Sequence, residues 1–137
     1  MSSQNRTVSI VDDDEDICLL FNDTLKSIKG INILTFIDPI MALQDFQINE
    51  YAYVLVISDC RMPGLNGMEF LKKIKDLNRF VRTITMTGFK ADNKLFQEYT
   101  KKKIINASLQ KPIRLHDLIM EVNKQLGSYE KQKIIPS

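Results

Sequence analysis

No apolar run in this chain of 137 residues approaches the roughly eighteen needed to cross a bilayer, and its start, Met-Ser-Ser-Gln-Asn-Arg, lacks the apolar segment of a signal peptide. A soluble, cytoplasmic protein is the expectation. Cysteine is scarce: of the two, Cys18 falls within a helical apolar pattern and Cys60 follows an aspartate directly, which excludes a metal knuckle or disulfide framework and leaves two reduced thiols. An excess of one charge is also missing. Nineteen Lys plus Arg against seventeen Asp plus Glu give a formal charge of +2, so nothing global draws the chain to nucleic acid or an anionic membrane, and partners must be chosen locally. There is one histidine, His116, beside Asp117 at the start of a helical pattern; its plain reading is a structural or exposed side chain. Internal repeats, low-complexity segments and interdomain linkers are absent too.

What is present suits one globular domain, since 44% hydrophobic residues over this length bury one core. Strand-like runs, Thr7 to Val11, Ile31 to Phe36, Tyr53 to Ser58, Val81 to Met86 and Ile104 to Leu109, alternate with helical patterns. The first helix carries Ile17, Leu20, Phe21, Thr24, Leu25 and Ile28 and is ended by Gly30. The second starts with Asp38 as cap and Pro39 in the first turn; the third begins near Asn66. The fourth runs from about Asp92 to Lys101-Lys102-Lys103, whose charges complement the carbonyl end of the helix, binding of an acidic partner being the sharper reading. A fifth uses Leu115, Leu118, Ile119, Val122 and Leu126 and stops near Gly127, leaving residues 128–137 as a polar tail. Such alternation predicts an α/β fold: a parallel sheet, right-handed crossovers and helices on both faces.

The chemistry gathers where strands end. Val8-Ser9-Ile10-Val11 runs into Asp12-Asp13-Asp14, and Val54-Leu55-Val56-Ile57-Ser58 into Asp59, which is followed by Cys60-Arg61-Met62-Pro63-Gly64, a loop that continues neither strand nor helix. Open α/β sheets place their sites outside the carboxyl ends of the strands. Carboxylates converging there resist ionising together unless a divalent cation compensates them. The fourth strand ends in Met86-Thr87-Gly88 and the fifth in Leu109-Gln110-Lys111-Pro112, which brings Thr87 and Lys111 to the same edge. Asp12, Asp14 and Asp16 have calcium-loop spacing, but Ile17 stands where such a loop needs glycine and no glutamate closes it.

Acidic cluster, Asp59 in an Asp-x-x-Met-Pro-Gly loop, Thr87 and Lys111-Pro112, in this order, resemble the receiver domain of two-component response regulators. The match covers residues 6–127, and each signal is weak alone. The resemblance implies a flavodoxin-like, doubly wound sheet of five parallel strands with five helices. It implies that Asp59 accepts a phosphoryl group from a histidine kinase or phosphotransfer protein. Mg²⁺ would be held by Asp13, Asp59 and the backbone carbonyl of Arg61, with Asp12 acting through water, while Lys111 and Thr87 would contact phosphoryl oxygens. The Lys111-Pro112 bond is often cis in this family. Arg61 and Phe89 would flank the phosphoryl group. One departure stands out: many receivers carry Tyr or Phe three residues before the lysine, and this chain has Ser108.

Taken singly, Asp12 to Asp14 read as a helix-capping turn, Lys111 as a surface lysine and Thr87 as a strand-end cap; jointly those readings are hard to sustain. With no output region after residue 127 of this sequence, the expectation is a stand-alone receiver that acts through an unnamed protein partner, without direct nucleic-acid contact or membrane insertion, and is not itself an enzyme. One rival is a binding module that keeps the fold without phosphorylation. Another is an aspartyl-phosphate hydrolase, which would want a carboxylate two residues after the nucleophile, where Arg61 stands.

Overall fold

The computed structural model describes residues 6–62, 64–88 and 94–134. Five strands, β1 (Thr7–Val11), β2 (Asn32–Phe36), β3 (Tyr53–Asp59), β4 (Arg82–Thr87) and β5 (Ala107–Gln110), form one sheet in the order β2-β1-β3-β4-β5. Every pairing is parallel. The helices are α1 (Glu15–Leu25), α2 (Pro39–Asn49), α3 (Gly67–Leu77), α4 (Lys94–Lys101) and α5 (Leu115–Ile134), with a short 3₁₀ turn at Glu50–Ala52. This is the flavodoxin-like, doubly wound arrangement. Its two cores lie on opposite faces of the sheet. Val8, Ile10, Leu55, Ile57, Ile84 and Met86 pack on α1 and α5 through Phe21, Leu25, Leu118 and Val122. On the other face Val11 and Val56 meet Phe46 of α2, Leu71 and Ile74 of α3, and Phe96 and Tyr99 of α4. Central β1 and β3 are buried along their whole length, which is why they read as unbroken apolar runs.

The chemistry of the helix starts is as expected where it is local. Asp38 Oδ1 accepts from the Ile40 amide at 2.9 Å, with Pro39 in the first turn of α2, and Asn66 Oδ1 accepts from Met68 at 2.8 Å at the start of α3. Asp92, where the fourth helix was expected to begin, lies outside the described residues. Three expectations are corrected. The first helix ends at Leu25, not at Gly30; a turn with an Ile28 N to Leu25 O bond of 3.0 Å intervenes, and Gly30 takes a φ of 85° beyond it. The fifth strand begins at Ala107, not Ile104. Ile104 and Ile105 instead close α4: both amides donate to Tyr99 O, at 2.9 and 3.2 Å, after Lys103 turns the chain with a φ of 65°, and Ile105 is buried beneath the turn. Finally, α5 does not stop near Gly127 but continues to Ile134, so the residues after Gly127 start as helix rather than a polar tail. Side chains beyond the glycine are engaged: Glu130 pairs with Arg6, and Gln132 accepts from Arg82 Nη1 and donates to Phe80 O, each at 2.9 Å. No helix among the described residues is long and apolar enough to cross a membrane.

Candidate phosphoacceptor site

The aspartate triplet after β1 divides its labour. Asp14 is the helix cap: its Oδ1 accepts from the amides of Asp16 at 2.9 Å and Ile17 at 3.4 Å. Asp12 is 0% exposed, anchored by its amide to Phe36 O at 3.1 Å, with Oδ1 taking the Asp14 amide at 2.9 Å. Asp13 is exposed. Oxygen atoms of Asp12, Asp13 and Asp59 lie within 4.8 Å of one another, so the capping reading holds for Asp14 while its two predecessors join the strand-end cluster.

Lys111 supplies the positive charge. Its Nζ stands 3.1 Å from Asp59 Oδ1 and 3.5 Å from Asp12 Oδ2. The second distance is at the limit of a hydrogen bond, and Oδ2 of Asp12 is a buried acceptor with no hydrogen-bond donor. Burial pushes the Asp12 carboxyl above its ordinary range, against the Asp14 amide and Lys111, which lower it. For Lys111, burial acts to lower the pKa, but the hydrogen bond to Asp59 and the charges of Asp12 and Asp59 outweigh it, and the net shift is upward. The backbone fixes these groups. Lys111 N donates to Thr87 O at 2.8 Å and Cys60 N to Met86 O at 2.8 Å, tying the ends of β3, β4 and β5 together. Thr87 is buried at the end of β4, the Lys111-Pro112 bond is cis, and Arg61 is exposed in the loop after Asp59. Phe89 lies outside the described residues.

Sequence reasoning overlooked Gly67. This first residue of α3 donates to Cys60 O at 3.2 Å, and a Cβ on it would sit 1.9 Å from Asp59 O. Only glycine lets the helix press against the backbone of the central aspartate. A glycine directly after an asparagine cap was the available signal. The thiols are structural: buried Cys18 donates to Asp12 O at 3.3 Å, and burial pushes it up to about 11, well out of nucleophilic range. His116 is exposed at the start of α5. Ser108 is exposed on β5, in register with Thr85.

A buried carboxylate oxygen without a donor, beside two further carboxylates, is an all-oxygen donor set that fits a hard divalent cation such as Mg²⁺. Compared with known protein families, residues 8–123 match the response regulator receiver domain. The chain belongs to that family. Receiver domains are phosphoacceptors, and the acidic cluster, the lysine and the threonine stand at the strand ends of this one. Among curated relatives, the transcriptional regulatory protein CpxR homolog of Haemophilus influenzae is 33% identical over 114 residues, covering 82% of this chain and 47% of that protein. The transcriptional regulatory protein ZraR of Escherichia coli K12 is 32% identical over 89 residues, 65% of this chain and 20% of its own length. The chain thus spans from a fifth to about half of these relatives. Among solved structures, a response regulator receiver domain from Clostridium thermocellum superposes with a TM-score of 0.80 at 27% identity, covering 95% of this chain and 99% of the other.

Proposed function

We propose that this receiver is a phosphorylation-dependent switch in a two-component phosphorelay, with Asp59 as the acceptor. The observation that carries this reading is the convergence on Asp59 of one ammonium, at 3.1 Å, and two further carboxylates, one of them fully buried with an unfilled oxygen. A carboxylate oxygen of Asp59 attacks the phosphorus of a phosphohistidine on a histidine kinase or phosphotransfer protein. A P–O bond forms as the P–N bond breaks, and the imidazole leaves with its electron pair and takes up a proton. Phosphoryl transfer asks the protein mainly for positioning and charge stabilisation. Lys111, already on Oδ1 of Asp59, follows the growing charge onto a phosphoryl oxygen, and the Thr87 hydroxyl donates to another. Asp12, Asp13, Asp59 and the Arg61 carbonyl are the residues to hold Mg²⁺, which when bound neutralises charge on the transferring group.

An apolar groove of about 520 Å³ lies beside Lys111, bounded by Ile17, Leu20, Phe21, Pro112 and Ile113. Its continuity with the acceptor site makes it the landing surface for the donor protein, which must bring its phosphohistidine to Asp59. Leu20, assigned from sequence to the apolar face of α1, is 45% exposed here. The modified chain acts without enzymatic turnover, by changing its contact with a downstream protein. Ser108 has little area to bury compared with an aromatic ring, so the readout is concentrated in the loop after Thr87 rather than spread through β5.

Acetyl phosphate with Mg²⁺ should give one labile phosphoryl adduct on the intact chain by mass spectrometry, located at Asp59 and absent in Asp59→Asn. An adduct of full yield in that variant would sink the assignment.

A further inference from the structure

At the opposite edge of the sheet from Asp59, a cavity of about 490 Å³ is lined by Lys75, Arg79, Arg82, Lys102 and Lys103, together with Ile104, Asn106 and Gln132. No acidic residue lines it among the described residues. The five cations come from distant parts of the chain: the end of α3, the turn after it, the start of β4 and the turn after α4. Cations at the carbonyl ends of helices have an ordinary explanation, because a helix C-terminus carries roughly half a negative charge. That explanation falls short here. The ends of α3, α4 and α5 together supply about one and a half units of negative charge, Glu98 pairs with Lys102 at 3.0 Å and Glu121 acts on Arg82, so an excess of roughly +1.5 remains.

The arrangement is also built rather than merely charged. Lys75 Nζ is held by the neutral Asn106 Oδ1 at 2.7 Å, an oxygen that also accepts from the Thr83 amide at 2.9 Å and so is fixed to β4. Burial first, and the charge of Arg82 second, push this ammonium down to about 8, as expected for a desolvated cation without a carboxylate. Arg82 has its guanidinium plane set by Gln125 on Nε and Gln132 on Nη1, both at 2.9 Å. Arg79 lies over the ring of Phe80 at 5.0 Å. Cavities of roughly 300–1,000 Å³ hold small molecules, and a fixed guanidinium beside ammonium groups is the donor set of phosphate recognition.

We propose that this cavity binds a small anion carrying two or more linked phosphate groups: pyrophosphate, or the phosphate end of a nucleoside di- or triphosphate. A single phosphate would engage only part of a donor set that comes from four segments of the chain around a cavity of about 490 Å³. The cations line one cavity rather than a stripe along the surface, which favours a compact polyanion over a nucleic-acid backbone. The site is independent of Asp59 and goes beyond the phosphoacceptor reading.

The test is an amide NMR titration of the whole chain, free of Mg²⁺, with inorganic pyrophosphate and in parallel with ADP. Saturable shifts are expected at residues 75–82 and 102–106, with none at Asp12 or Asp59. Lys103→Glu and Arg79→Glu, both at exposed positions where folding is least at risk, should each weaken binding by about tenfold or more. Asp59→Asn should bind as the parent does, which keeps this result separate from the acceptor assignment. Equal affinity for both probes identifies the phosphates as the whole ligand, and tighter ADP binding adds a base contact. The proposal is overturned by absence of saturable shifts, by shifts confined to the acidic cluster, by indifference to both charge reversals, or by single-stranded RNA binding more tightly than either probe.

Discussion

The two edges of the sheet solve the problem of buried charge in opposite ways. At the carboxyl ends of β1 and β3, carboxylates of Asp12, Asp13 and Asp59 gather around one ammonium, Lys111. At the amino end of β4, five cations share a cavity without a lining carboxylate among the described residues, and the most buried ammonium, Lys75, leans on the neutral oxygen of Asn106. The difference follows the helices. In a doubly wound fold helix N-termini open toward the first edge and C-termini toward the second, so the backbone already favours anions or acids at one and cations at the other. A chain-wide charge of +2 averages this polarity away. Net charge is therefore blind to two local fields.

The largest expected effect breaks the acidic edge without touching a charge. Gly67→Ala would place a methyl 1.9 Å from Asp59 O, forcing apart α3 and the backbone of the acceptor. A stability loss of about 3 kcal/mol is expected by urea unfolding, together with poor phosphoryl uptake under conditions where the chain stays folded. Unchanged stability would mean that the close approach is not required.

Removing charge from the same edge acts next. Asp13→Ala deletes the oxygen proposed to ligate the ion directly and should weaken Mg²⁺ by about 100-fold, roughly 2.7 kcal/mol, in a calorimetric titration, with Asp12→Ala falling less. Equal affinity in both variants and the parent would show that the carboxylates do not act on one ion.

The basic edge is sharpened by pH. Lys75 ionises near 8 in the folded chain against 10.5 ordinarily, facing Arg79, Arg82, Lys102 and Lys103 across the cavity. Between those values the unfolded chain binds more protons than the native one, so the contribution of this group to stability rises with pH. Lys75→Met should remove that rise, a difference on the order of 1 to 2 kcal/mol once partial hydration is allowed for. Parallel unfolding curves for parent and variant from pH 8 to 10.5 would contradict the burial of the charge. Smallest is Gly127→Ala: the glycine is mid-helix and a Cβ there meets nothing within 4 Å, so a gain of up to about 1 kcal/mol should appear as a raised Tm, firming the helix that carries Gln132 to the basic edge.

The acidic edge was legible in the sequence because its residues sit directly after buried strands, and an apolar run fixes where its own last residue lies. Asp12, Asp59, Thr87 and Lys111 are brought together by the topology: alternation pointed to a parallel sheet whose strand ends share one edge, and the resemblance to receiver domains supplied its five-stranded, doubly wound form. The basic edge was hidden for the converse reason. Lys75 belongs to a Lys-Lys-Ile-Lys stretch that reads as the solvated side of a helix, and only a partner 31 residues away, Asn106, shows that it is drawn inward. Ile104 and Ile105 carry strand-like side chains but serve as the apolar plug of a helix end, a role set by the left-handed turn at Lys103. Gly127 was read as a stop because glycine often ends helices. Helical φ and ψ suit it equally well, and the contacts that hold the chain helical beyond it involve Arg6, Phe80 and Arg82.

Those contacts bear on where this domain can be cut. The family match ends at residue 123, yet Gln125 and Leu126 are buried, and Glu130 and Gln132 still hold side chains of β4 and of the residue before β1. Resemblance and packing thus draw two boundaries about two and a half helical turns apart. An excision made at the first would strip Arg6 of its counter-ion and Arg82 of both glutamines, leaving the acceptor edge with its full set of residues and the far edge with its cations but without the partners that orient the Arg82 guanidinium. Fragments trimmed to the shared footprint would then report the phosphoryl chemistry common to the family and miss what this particular chain adds to it.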